Sequence, residues 1–563
     1  MRVLIIGGVA GGASAAARIR RLDENAEIVI YEKSGFISYA NCGLPYYIGG
    51  EIKEKKELTL QTPQSFYSRF RIEAKVNHEV LSINRKAKTI TVKDLESGHV
   101  FEDKYDKLIL SPGAKPNVLR ATGLEGEGFF TLRNVEDTLR IRSYVEDKKV
   151  KSATVIGGGF IGLEVAENLR LLGLDVTIIE YASHLLAPLD LDMASFLHAE
   201  FRAHGVKLML SEGVTSFARS GKMIVTKTNK NNSVLANIVI IAAGVTPDST
   251  LAKDAGLELR VRGSIKVDEH MMTSDKDIYA VGDAVSVKHF VTGEESFISL
   301  AGPANKEGRI AADNICGLYS VYKGSQGSSV LKAFDLTVAT TGINELQAQK
   351  AGINYEKVIL SPLSHAGYYP GGKLMTLKVL YDKGGLRVLG AQIIGQSGVD
   401  KRVDVIATAI HFNAKITDLK DLDLAYAPPY SSAKDPVNMA GFMGENIENR
   451  LVEQVYVEDL YKLKMQDDSF FLDVRTDAEF ERGHVDGFYH IPVDNLRERC
   501  KELPKDKKLY LLCQSGLRSY IGVRMLKQLG YDAFNIAGGY RLLNSFYKEV
   551  VQNANCFECG LER

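Results

Sequence analysis

Short runs of apolar residues that end in glycine recur along the chain and predict strands that lead into helices. The first run, RVLIIGG, is followed by the helical segment ASAAARIRRL and by a strand, EIVIYEK, that ends in an acid. The same order returns from Ala153, with ATVIGGG, the helical FIGLEVAENLRLLG and DVTIIE. Each stretch has the periodicity of strand, turn, helix and strand. The pattern therefore predicts two dinucleotide-binding folds in one chain.

Further apolar runs extend this picture toward the C-terminus. KLILSPGAKP, with Gly113, and NIVIIAAGVTP, with Gly244, predict a later strand with a small-residue turn in each fold. Beyond the Gly/Ser-rich KGSQGSS, the runs LTVATTGI, KLMTLKVLY and VLGAQIIG and a helix over VDVIATAIHF predict an α+β domain. After about Asn449, SFFLDVR, KLYLLC and AFNIAGG predict the strands of a separate α/β unit.

Composition narrows the functional classes. With 563 residues the chain is too long for one core, and its 70 basic and 70 acidic side chains balance. Charge gives no reason to expect a nucleic-acid or membrane partner, and no apolar run reaches the ~18 residues of a membrane span. The N-terminal run contains turn glycines and is not expected to be a signal peptide. Six irregularly spaced cysteines indicate a reducing, cytoplasmic setting.

The second glycine turn has the full dinucleotide-binding spacing. Gly157, Gly159 and Gly162 form G-x-G-x-x-G between a strand and a helix, and Glu180 ends the next strand. Glycines permit close approach to a pyrophosphate at the helix N-terminus, and the acid accepts from ribose hydroxyls. Because a carboxylate repels a 2′-phosphate, we expect NADH to be preferred over NADPH.

The first glycine turn departs from this spacing. Val9 replaces the second glycine, and Glu32 is the expected ribose acid. A distant segment, TSDKDIYAVGDA, contributes Gly282 and Asp283, whose carboxylate is similar to the one that binds a flavin ribityl chain. The turn glycines expected to approach the dinucleotide are Gly7, Gly8, Gly11 and Gly12.

Taken in order, the two folds and the GD motif resemble the two-dinucleotide-binding flavoprotein disulfide reductases over about residues 1–445. The resemblance implies an α/β protein with FAD in the first Rossmann-like fold and NAD(P)H in the second. It further implies an α+β dimerisation domain and a homodimer whose active sites are completed by the partner subunit. The expected domains are FAD-binding, 1–122 and 247–325; NAD(P)H-binding, 123–246; dimerisation, 330–446; and a further α/β domain, 453–548, with a tail at 549–563.

A single cysteine marks the expected electron-accepting site. Cys42 lies in SYANCGLPYY, and the position of the second cysteine of the family's C-x4-C is Tyr47. Its oxidised form is then a mixed disulfide, a persulfide or a sulfenic acid. The single-cysteine NADH peroxidases and oxidases typically have a histidine in the first glycine turn, where this chain has Ala10. The small residues here and the AYAPPYSSAKDPVN segment resemble the coenzyme A-disulfide reductases.

That resemblance implies a coenzyme A site. Arg18 and Arg21 are i,i+3 neighbours that suit phosphate, although a solvated helix face is the alternative explanation of the pair. Tyr368 is expected to protonate the leaving thiolate and Tyr426 to close the channel, with Tyr369 able to exchange with Tyr368. Where the family tends to have a basic residue this chain has Phe70, and Arg69 or Arg71 is expected to substitute. The other implied coenzyme A contacts are Ser14, Ser38, Asn41, Asn305 and Lys434.

The C-terminal unit, 453–548, contains the segments FLDVRTDAEFERGHVDG, LYLLCQSGLRS and AFNIAGGY. These segments resemble a rhodanese domain, which implies a sulfur-carrying thiol at Cys513 in a six-residue loop that ends at Arg518. Backbone N–H groups of such a loop, with the arginine, would stabilise a thiolate or persulfide. Asp473 and Arg475 are expected to hold the loop or to form an ordinary buried ion pair. His484 is expected to be a packing residue.

The C-x2-C of Cys556 and Cys559 lacks two further ligands at zinc spacing, so no metal site is predicted.

The two resemblances together imply an NADH-dependent FAD enzyme that reduces coenzyme A disulfide, coenzyme A persulfide or polysulfide. Its rhodanese domain would handle sulfane sulfur, with coenzyme A as substrate or carrier. An NADH oxidase or peroxidase cycling through Cys-SOH and a non-enzymatic redox sensor are the alternatives.

Overall fold

The computed structural model describes residues 1–553, which divide into two compact units. The first unit comprises Met1–Tyr181 and Gly205–Gly327; the second comprises Ala182–His204 and the described chain from Ser328 onward. Among the described residues, no helix has both the length and the apolar character needed to cross a membrane.

The first Rossmann-like fold forms around a five-stranded parallel sheet. Its strands, in spatial order, are Ile278–Ala280, Lys107–Leu110, Arg2–Ile6, Glu27–Tyr31 and Glu73–Lys75. Helix Ala10–Leu22 packs on helix Ala301–Ile315 so closely that a Cβ at Gly308 would lie 2.3 Å from the carbonyl oxygen of Gly11. The apolar run of the first strand is buried because helices or loops cover both faces of a parallel sheet.

The second fold repeats this arrangement, which confirms the duplication. Its parallel strands, in spatial order, are Lys207–Met209, Asp175–Ile179, Ser152–Ile156, Ile238–Ile241 and Phe129–Thr131, with helix Phe160–Leu171 after the third of these. Ile156 pairs with Ile179, as Ile6 pairs with Tyr31 in the first fold. This register brings the glycine turn after one strand to the acid after the next.

Shorter elements complete the first unit. The small sheets are formed by His78–Asn84, Thr89–Asp94 and Val100–Lys104; by Val214–Ser220, Met223–Thr228 and Ser233–Ala236; by Ala114–Pro116 and Val245–Pro247; and by Ile265–Lys266, Val285–Lys288 and Glu295–Ser296. The remaining helices, including 3-10 turns, are Asn41–Gly43, Leu44–Gly49, Lys55–Leu58, Pro63–Phe70, Val135–Asp147, Thr250–Asp254, Val261–Gly263 and Gly282–Ala284.

The second unit contains the predicted α+β domain. Its five-stranded antiparallel sheet has the order Ser329–Ala333, Leu336–Gly342, Val388–Gly395, Met375–Asp382 and Tyr355–Leu360. The associated helices are Leu191–Ala203, Glu345–Lys350, Val399–His411, Ile416–Asp421 and Pro436–Glu448.

The segment Ala182–His204 groups with this unit, although the sequence boundaries place it in the NAD(P)H-binding fold. Its attachment is electrostatic as well as apolar. The fully buried Lys378 ammonium lies 2.9 Å from Asp192 and 3.0 Å from Asp190, and it also contacts Glu345. Because a buried ammonium must be paired, this contact holds the segment on the antiparallel sheet.

The last unit predicted from sequence is a five-stranded parallel sheet. Its strands have the order Gln454–Val455, Asp532–Ile536, Lys508–Leu512, Ser469–Asp473 and Tyr489–His490. Its helices, including 3-10 turns, are Leu460–Lys464, Asp477–Glu481, Val493–Asn495, Leu496–Arg499, Cys500–Glu502, Leu517–Gln528 and Gly539–Asn553.

A half-buried tyrosine, Tyr456, attaches the start of this sheet domain to the antiparallel sheet. The Tyr456 hydroxyl lies 2.7 Å from the Glu356 carboxylate and 2.8 Å from the Lys357 carbonyl, and the Lys357 ammonium lies 4.1 Å from the Tyr456 ring centroid. Lys357 also forms an ion pair with Glu458. The first residues of the C-terminal domain therefore pack on the antiparallel sheet and do not form a free linker.

Candidate active site

The two glycine turns have the same backbone geometry. Gly7 and Gly157 have positive φ angles of 97° and 110°, and a Cβ at either would lie within 2.3 Å of a carbonyl oxygen in the neighbouring strand's turn. A Cβ at Gly12 or Gly162 would lie 2.0 Å from the carbonyl of the first glycine of its own turn. Only glycine fits these positions, so both helices begin directly at the carboxyl end of their sheet.

Gly159 differs from these four because no atom lies within 4 Å of its would-be Cβ. Open space at the second glycine is what a pyrophosphate approaching the backbone requires, so the second turn fits a pyridine nucleotide. At the corresponding position, Val9 is the N-cap residue of helix Ala10–Leu22. The predicted departure from the glycine pattern is thus accommodated without disturbing the turn.

An acid lies beside each turn, as the sequence predicted. The Glu32 carboxylate accepts from the Gly8 N–H at 2.8 Å, and Glu180 accepts from the Gly158 N–H at 2.5 Å. Burial raises the pKa of Glu32, while the backbone N–H groups of Gly8 and Ser34 oppose that shift. Each carboxylate is fixed at the strand end where a ribose would bind.

The GD motif lies close to the first turn. Gly282 donates its N–H to the buried Glu307 at 2.7 Å, and Asp283 forms an ion pair of 2.6 Å with Arg133. Burial raises the pKa of Glu307 to about 7. Gly113 adjoins Arg133, since its would-be Cβ lies 3.2 Å from that guanidinium, and Gly244 has the corresponding place in the second fold. The donors and acceptors around the first turn fit FAD.

Cys42 is accessible at a helix start. It lies in the 3-10 turn Asn41–Gly43, which leads into helix Leu44–Gly49. Although the residue is exposed, neighbouring protein atoms desolvate the thiol and raise its pKa, and the carboxylates of Glu164 and Asp283 raise it further. Burial and the nearby Glu167 raise the pKa of Glu164 to about 7. The thiol therefore lies within electrostatic reach of a carboxylate whose pKa is about 7.

A cavity of about 360 Å³ lies between the two packed helices and the Pro63–Phe70 helix. It contains most of the predicted coenzyme A residues, and Ser14 and Asn305 are hydrogen-bonded to each other. Asn41 is not in its lining, and Lys434 is exposed in the second unit. The lining is formed by Ala13, Ser14, Ala17, Arg18, Arg21, Ser38, Gln61, Phe66, Phe70, Asn305 and Arg309.

The charge of this cavity differs from the expectation in two respects. Arg18 forms an ion pair of 2.6 Å with Asp313, so part of its charge is neutralised. Phe70 lines the cavity, but neither Arg69 nor Arg71 does; the Arg71 guanidinium lies over the Tyr67 ring instead. The basic side chains that remain are those of Arg21 and Arg309, and the sequence analysis singled out only the first.

In the second unit, the predicted tyrosines meet. The hydroxyl oxygens of Tyr368 and Tyr426 lie 2.6 Å apart, and both side chains are exposed. The hydrogen bond to Tyr426 raises the pKa of Tyr368, and either hydroxyl can be the donor. Tyr369 packs edge-on against His365 and is not part of the pair.

A fully buried arginine supports both tyrosine-bearing loops. Arg402 donates to the Asp435 carboxylate at 2.9 Å, to the Ser364 carbonyl at 3.1 Å and to the Ser431 hydroxyl at 3.1 Å. Ser364 precedes Tyr368, and Ser431 follows Tyr426. This arginine therefore fixes the two loops against each other.

Cys513 is buried at the base of its loop, directly after strand Lys508–Leu512. The Gly516 N–H lies 3.0 Å and the Ser519 hydroxyl 3.3 Å from its sulfur. These two donors point at the position where negative charge forms on a thiolate or persulfide. One backbone N–H and one hydroxyl therefore lie where they can stabilise negative charge on this sulfur.

Arg518 is more constrained than the sequence suggested. Its guanidinium donates to both oxygens of Glu479, at 2.6 and 2.7 Å. This ion pair lowers the pKa of Glu479 to about 2. Arg518 therefore reaches the loop with its charge largely compensated.

The remaining predicted residues of this domain contact other side chains of the same domain. Asp473 and Arg475 form a fully buried bidentate pair, as one of the two interpretations held. His484 stacks on Phe480 with ring centroids 4.1 Å apart, in a packing role. Cys556 and Cys559 lie outside the described residues.

Comparison with known proteins agrees with this architecture. Residues 1–308 match the model of the pyridine nucleotide-disulphide oxidoreductases, and residues 329–436 match the dimerisation domain of the same family. The chain belongs to this family. Residues 456–545 match the rhodanese-like domain. This oxidoreductase therefore uses FAD and NAD(H), and its predicted fold class is confirmed.

Relatives of this chain match most of its length. A coenzyme A disulfide reductase of Staphylococcus haemolyticus is 36% identical over 447 residues, which are 79% of this chain and all of that protein. The structure of reduced Bacillus anthracis CoADR-RHD is 47% identical, covers 97% of this chain and 98% of that chain, and gives a TM-score of 0.95. An NAD-dependent persulfide reductase from A. fulgidus is 37% identical, covers 97% of this chain and 100% of that one, and gives 0.91.

Sequence reasoning missed several residues of this oxidoreductase that the structure brings to its sites. Their types are common on surfaces and in cores, and they belong to no spaced motif. Arg309 lies four positions after Asn305, and this spacing was the one available signal, since a helix would place both residues on one face. The residues are Gln61, Phe66, Arg133, Glu164, Arg309, Arg402 and Glu479.

Proposed function

We propose that this chain is an NADH-dependent reductase of coenzyme A disulfide, coenzyme A persulfide or polysulfide, with a rhodanese domain that loads or unloads sulfane sulfur. The observation that carries the proposal is the cavity lined by Ser38, whose walls include basic, polar and apolar side chains. Ser38 lies four residues before Cys42, an exposed cysteine that forms no disulfide within the described residues. Relatives that are named for coenzyme A disulfide and persulfide reduction support it.

In this proposal the cavity binds the nucleotide end of coenzyme A through Arg21 and Arg309. The pantetheine arm then presents its sulfur to Cys42. Bound FAD supplies the two-electron connection between NADH and the thiol. Glu180 would orient the NADH ribose, Glu32 would bind the ribose of FAD, and Asp283 would bind the ribityl chain.

The substrate step at Cys42 is a thiol exchange. The Cys42 thiolate attacks one sulfur of the acceptor's S–S bond, that bond breaks, and the second sulfur leaves with the electron pair. With coenzyme A disulfide the leaving group is coenzyme A thiolate; with a persulfide it is coenzyme A thiolate or hydrosulfide. The mixed disulfide or persulfide on Cys42 is then reduced by two electrons.

The leaving thiolate requires a proton, and we assign this to the tyrosine pair. The dimerisation domain indicates a homodimer. In it, Tyr368 and Tyr426 of one subunit are proposed to serve the Cys42 of the other, with Lys434 near the coenzyme A phosphates. A phenol whose pKa is raised keeps its proton at neutral pH and can donate it as charge develops.

Anaerobic stopped-flow oxidation of NADH with each acceptor, with free coenzyme A and hydrosulfide measured together, tests the proposal. Cys42→Ser should abolish turnover yet leave reduction of the flavin by NADH intact, whereas Cys316→Ser, the matched control in the same unit, should change neither. Wild-type turnover by Cys42→Ser would refute the electron route. Rapid use of oxygen or peroxide with no use of the sulfur acceptors would favour an oxidase or peroxidase.

A further inference from the structure

The second Rossmann-like fold contains a further cavity, of about 770 Å³. Its walls include Ser152, Asp175 and Lys207, the first residues of three parallel strands, and two strands of the small antiparallel sheet at 214–236, here called the meander. A pyridine nucleotide binds at the carboxyl ends of such strands, so this cavity lies at the opposite edge of the sheet. It shares no lining residue with the cavity at Ser38. A space of this volume can hold a small organic molecule.

The apolar packing between the two sheets shows which side chains face the same space as the cavity. Ile156 of the parallel sheet and Ile224 of the meander belong to one buried cluster, so both side chains point into the layer between the sheets. Side chains two residues apart on a strand lie on the same face. Thr154 and Thr226 therefore point into this layer from opposite sides.

The hydroxyl groups of Thr154 and Thr226 are left unpaired by the protein. Both residues are fully buried, and neither Oγ1 atom has a hydrogen-bond partner within the described part of the chain. Thr154 pairs with Thr177, and Thr226 pairs with Val234; both of these neighbours line the cavity. Buried hydroxyls in folded proteins almost always have a partner. The space between the two sheets is therefore suited to a guest that brings polar atoms to these hydroxyls.

The exposed part of the cavity lining is cationic. Lys151 and Lys207 both lie there, and neither forms an ion pair among the residues that the structure describes. The one carboxylate of the lining, that of Asp175, lies 3.6 Å from the Arg170 guanidinium, which offsets its charge. An anion that enters the cavity would thus meet two ammonium groups that no carboxylate occupies.

One amide and several apolar side chains complete the lining. The Asn237 Oδ1 atom accepts from the Lys151 N–H at 3.0 Å and from the Ser152 N–H at 3.2 Å, so the amide is oriented and its Nδ2 atom is left to donate. Met209 and Met223 supply apolar surface, and methionine side chains adapt to guests of different shape. Cations, an oriented amide donor and apolar walls together match a molecule with an anionic head and an apolar body.

We propose that this cavity binds a small amphipathic organic anion. Its carboxylate or sulfonate is bound by Lys151, Lys207 and the Asn237 amide, and its apolar body packs against Met209 and Met223. Attraction to two ammonium groups then adds to the burial of apolar surface. The site is separate from the reductase and sulfurtransferase sites, so it does not depend on the function proposed for them.

Equilibrium dialysis of the FAD-loaded, full-length chain against anilinonaphthalene sulfonate tests the proposal. Saturating NAD⁺ and coenzyme A block the nucleotide site and the cavity at Ser38. Lys151→Gln combined with Lys207→Gln should raise the Kd of this probe about tenfold or more, since two charge-assisted contacts are removed. Phenylnaphthylamine, which has the same aromatic rings and no sulfonate, should bind this double variant as well as the wild type. Lys222→Gln combined with Lys230→Gln, exposed lysines of the meander outside the lining, is the charge-matched control and should bind both probes normally.

A variant that fills the cavity locates the probes. Val234→Trp should remove the binding of both, because an indole then occupies the space between the sheets. Reduction of the flavin by NADH reports an intact fold; if Val234→Trp loses it, Ser233→Trp, at an exposed lining residue, takes its place in the test.

Three results would overturn the proposal. The first is a wild type that does not bind anilinonaphthalene sulfonate when the other two sites are blocked. The second is a variant of both Lys151 and Lys207 whose Kd stays within twofold of the wild type, or that loses both probes equally, since equal losses indicate an altered fold and not a lost charge contact. The third is a filled variant that binds both probes as the wild type does.

Discussion

The hydroxyl groups of Tyr368 and Tyr426 share one short hydrogen bond of 2.6 Å between two loops that are 58 positions apart in sequence. The buried Arg402 donates hydrogen bonds to Ser364 in one loop and to Ser431 in the other, and these bonds stabilise the position of the tyrosine pair. One phenol of such a pair can donate a proton to a leaving thiolate and accept a proton from the neighbouring hydroxyl.

We expect Tyr368→Phe to lower kcat for coenzyme A disulfide by about 10- to 100-fold, within the usual contribution of a general acid. Tyr426→Phe should shift the alkaline limb of the pH–rate profile to lower pH, since its hydrogen bond raises the pKa of Tyr368. The pH dependence of kcat checks both. Tyr369→Phe is the control; if it alone reproduces the losses, the assignment within the pair is wrong.

The choice of nicotinamide cofactor should depend on Glu180. Its carboxylate is fixed on the Gly158 N–H at the end of the second strand, where it accepts from ribose hydroxyls and repels a 2′-phosphate. The wild type should have a higher kcat/KM for NADH than for NADPH, and Glu180→Ala should narrow the difference. Equal specificity constants in the wild type would contradict this account.

The thiol of Cys42 should become more acidic when Glu164 loses its charge. The Glu164 carboxylate raises the pKa of Cys42, and its own pKa of about 7 means that it is ionised above neutrality. In Glu164→Gln the pH midpoint of iodoacetamide alkylation at Cys42 should move to lower pH, because the thiolate no longer faces a negative charge. Peptide mapping of the alkylated site follows the reaction. A midpoint that stays unchanged or rises would rule out this electrostatic coupling.

Fusion of the two sulfur-handling sites should have a kinetic benefit. Tyr456 and Lys357 dock the rhodanese domain at its entry, so its position is restricted and its effective concentration is plausibly ~mM or above. Cys513→Ser should abolish thiosulfate sulfurtransferase activity and slow coupled assays that begin from thiosulfate, with reduction of preformed coenzyme A disulfide largely unchanged. Cys500→Ser, in the same domain, should leave all three activities intact.

Separated domains mixed at equal low concentration provide the complementary measurement for the fusion. They should be slower than the intact chain in the coupled assay, because a carrier must then be recaptured from solvent. Equal rates would show that the domains work as independent enzymes.

The sequence by itself determined the parts of this protein whose chemistry is local. The glycine turns and the loop that begins at Cys513 are motifs of a few consecutive residues, and each acid ends the next strand. Both dinucleotide folds and the sulfur loop could therefore be predicted from the sequence. The lone Cys42 and the absence of a partner at Tyr47 narrowed the redox chemistry in the same way.

Only the tertiary structure decided the electrostatics of the sites. Glu479 neutralises Arg518 from 39 positions away, and Asp313 forms an ion pair with Arg18. Local spacing does not predict these long-range ion pairs, because the electrostatic environment of a charged side chain depends on which groups the fold brings within a few ångströms of it. The attachment of 182–204 to the second unit through buried Lys378 has the same origin.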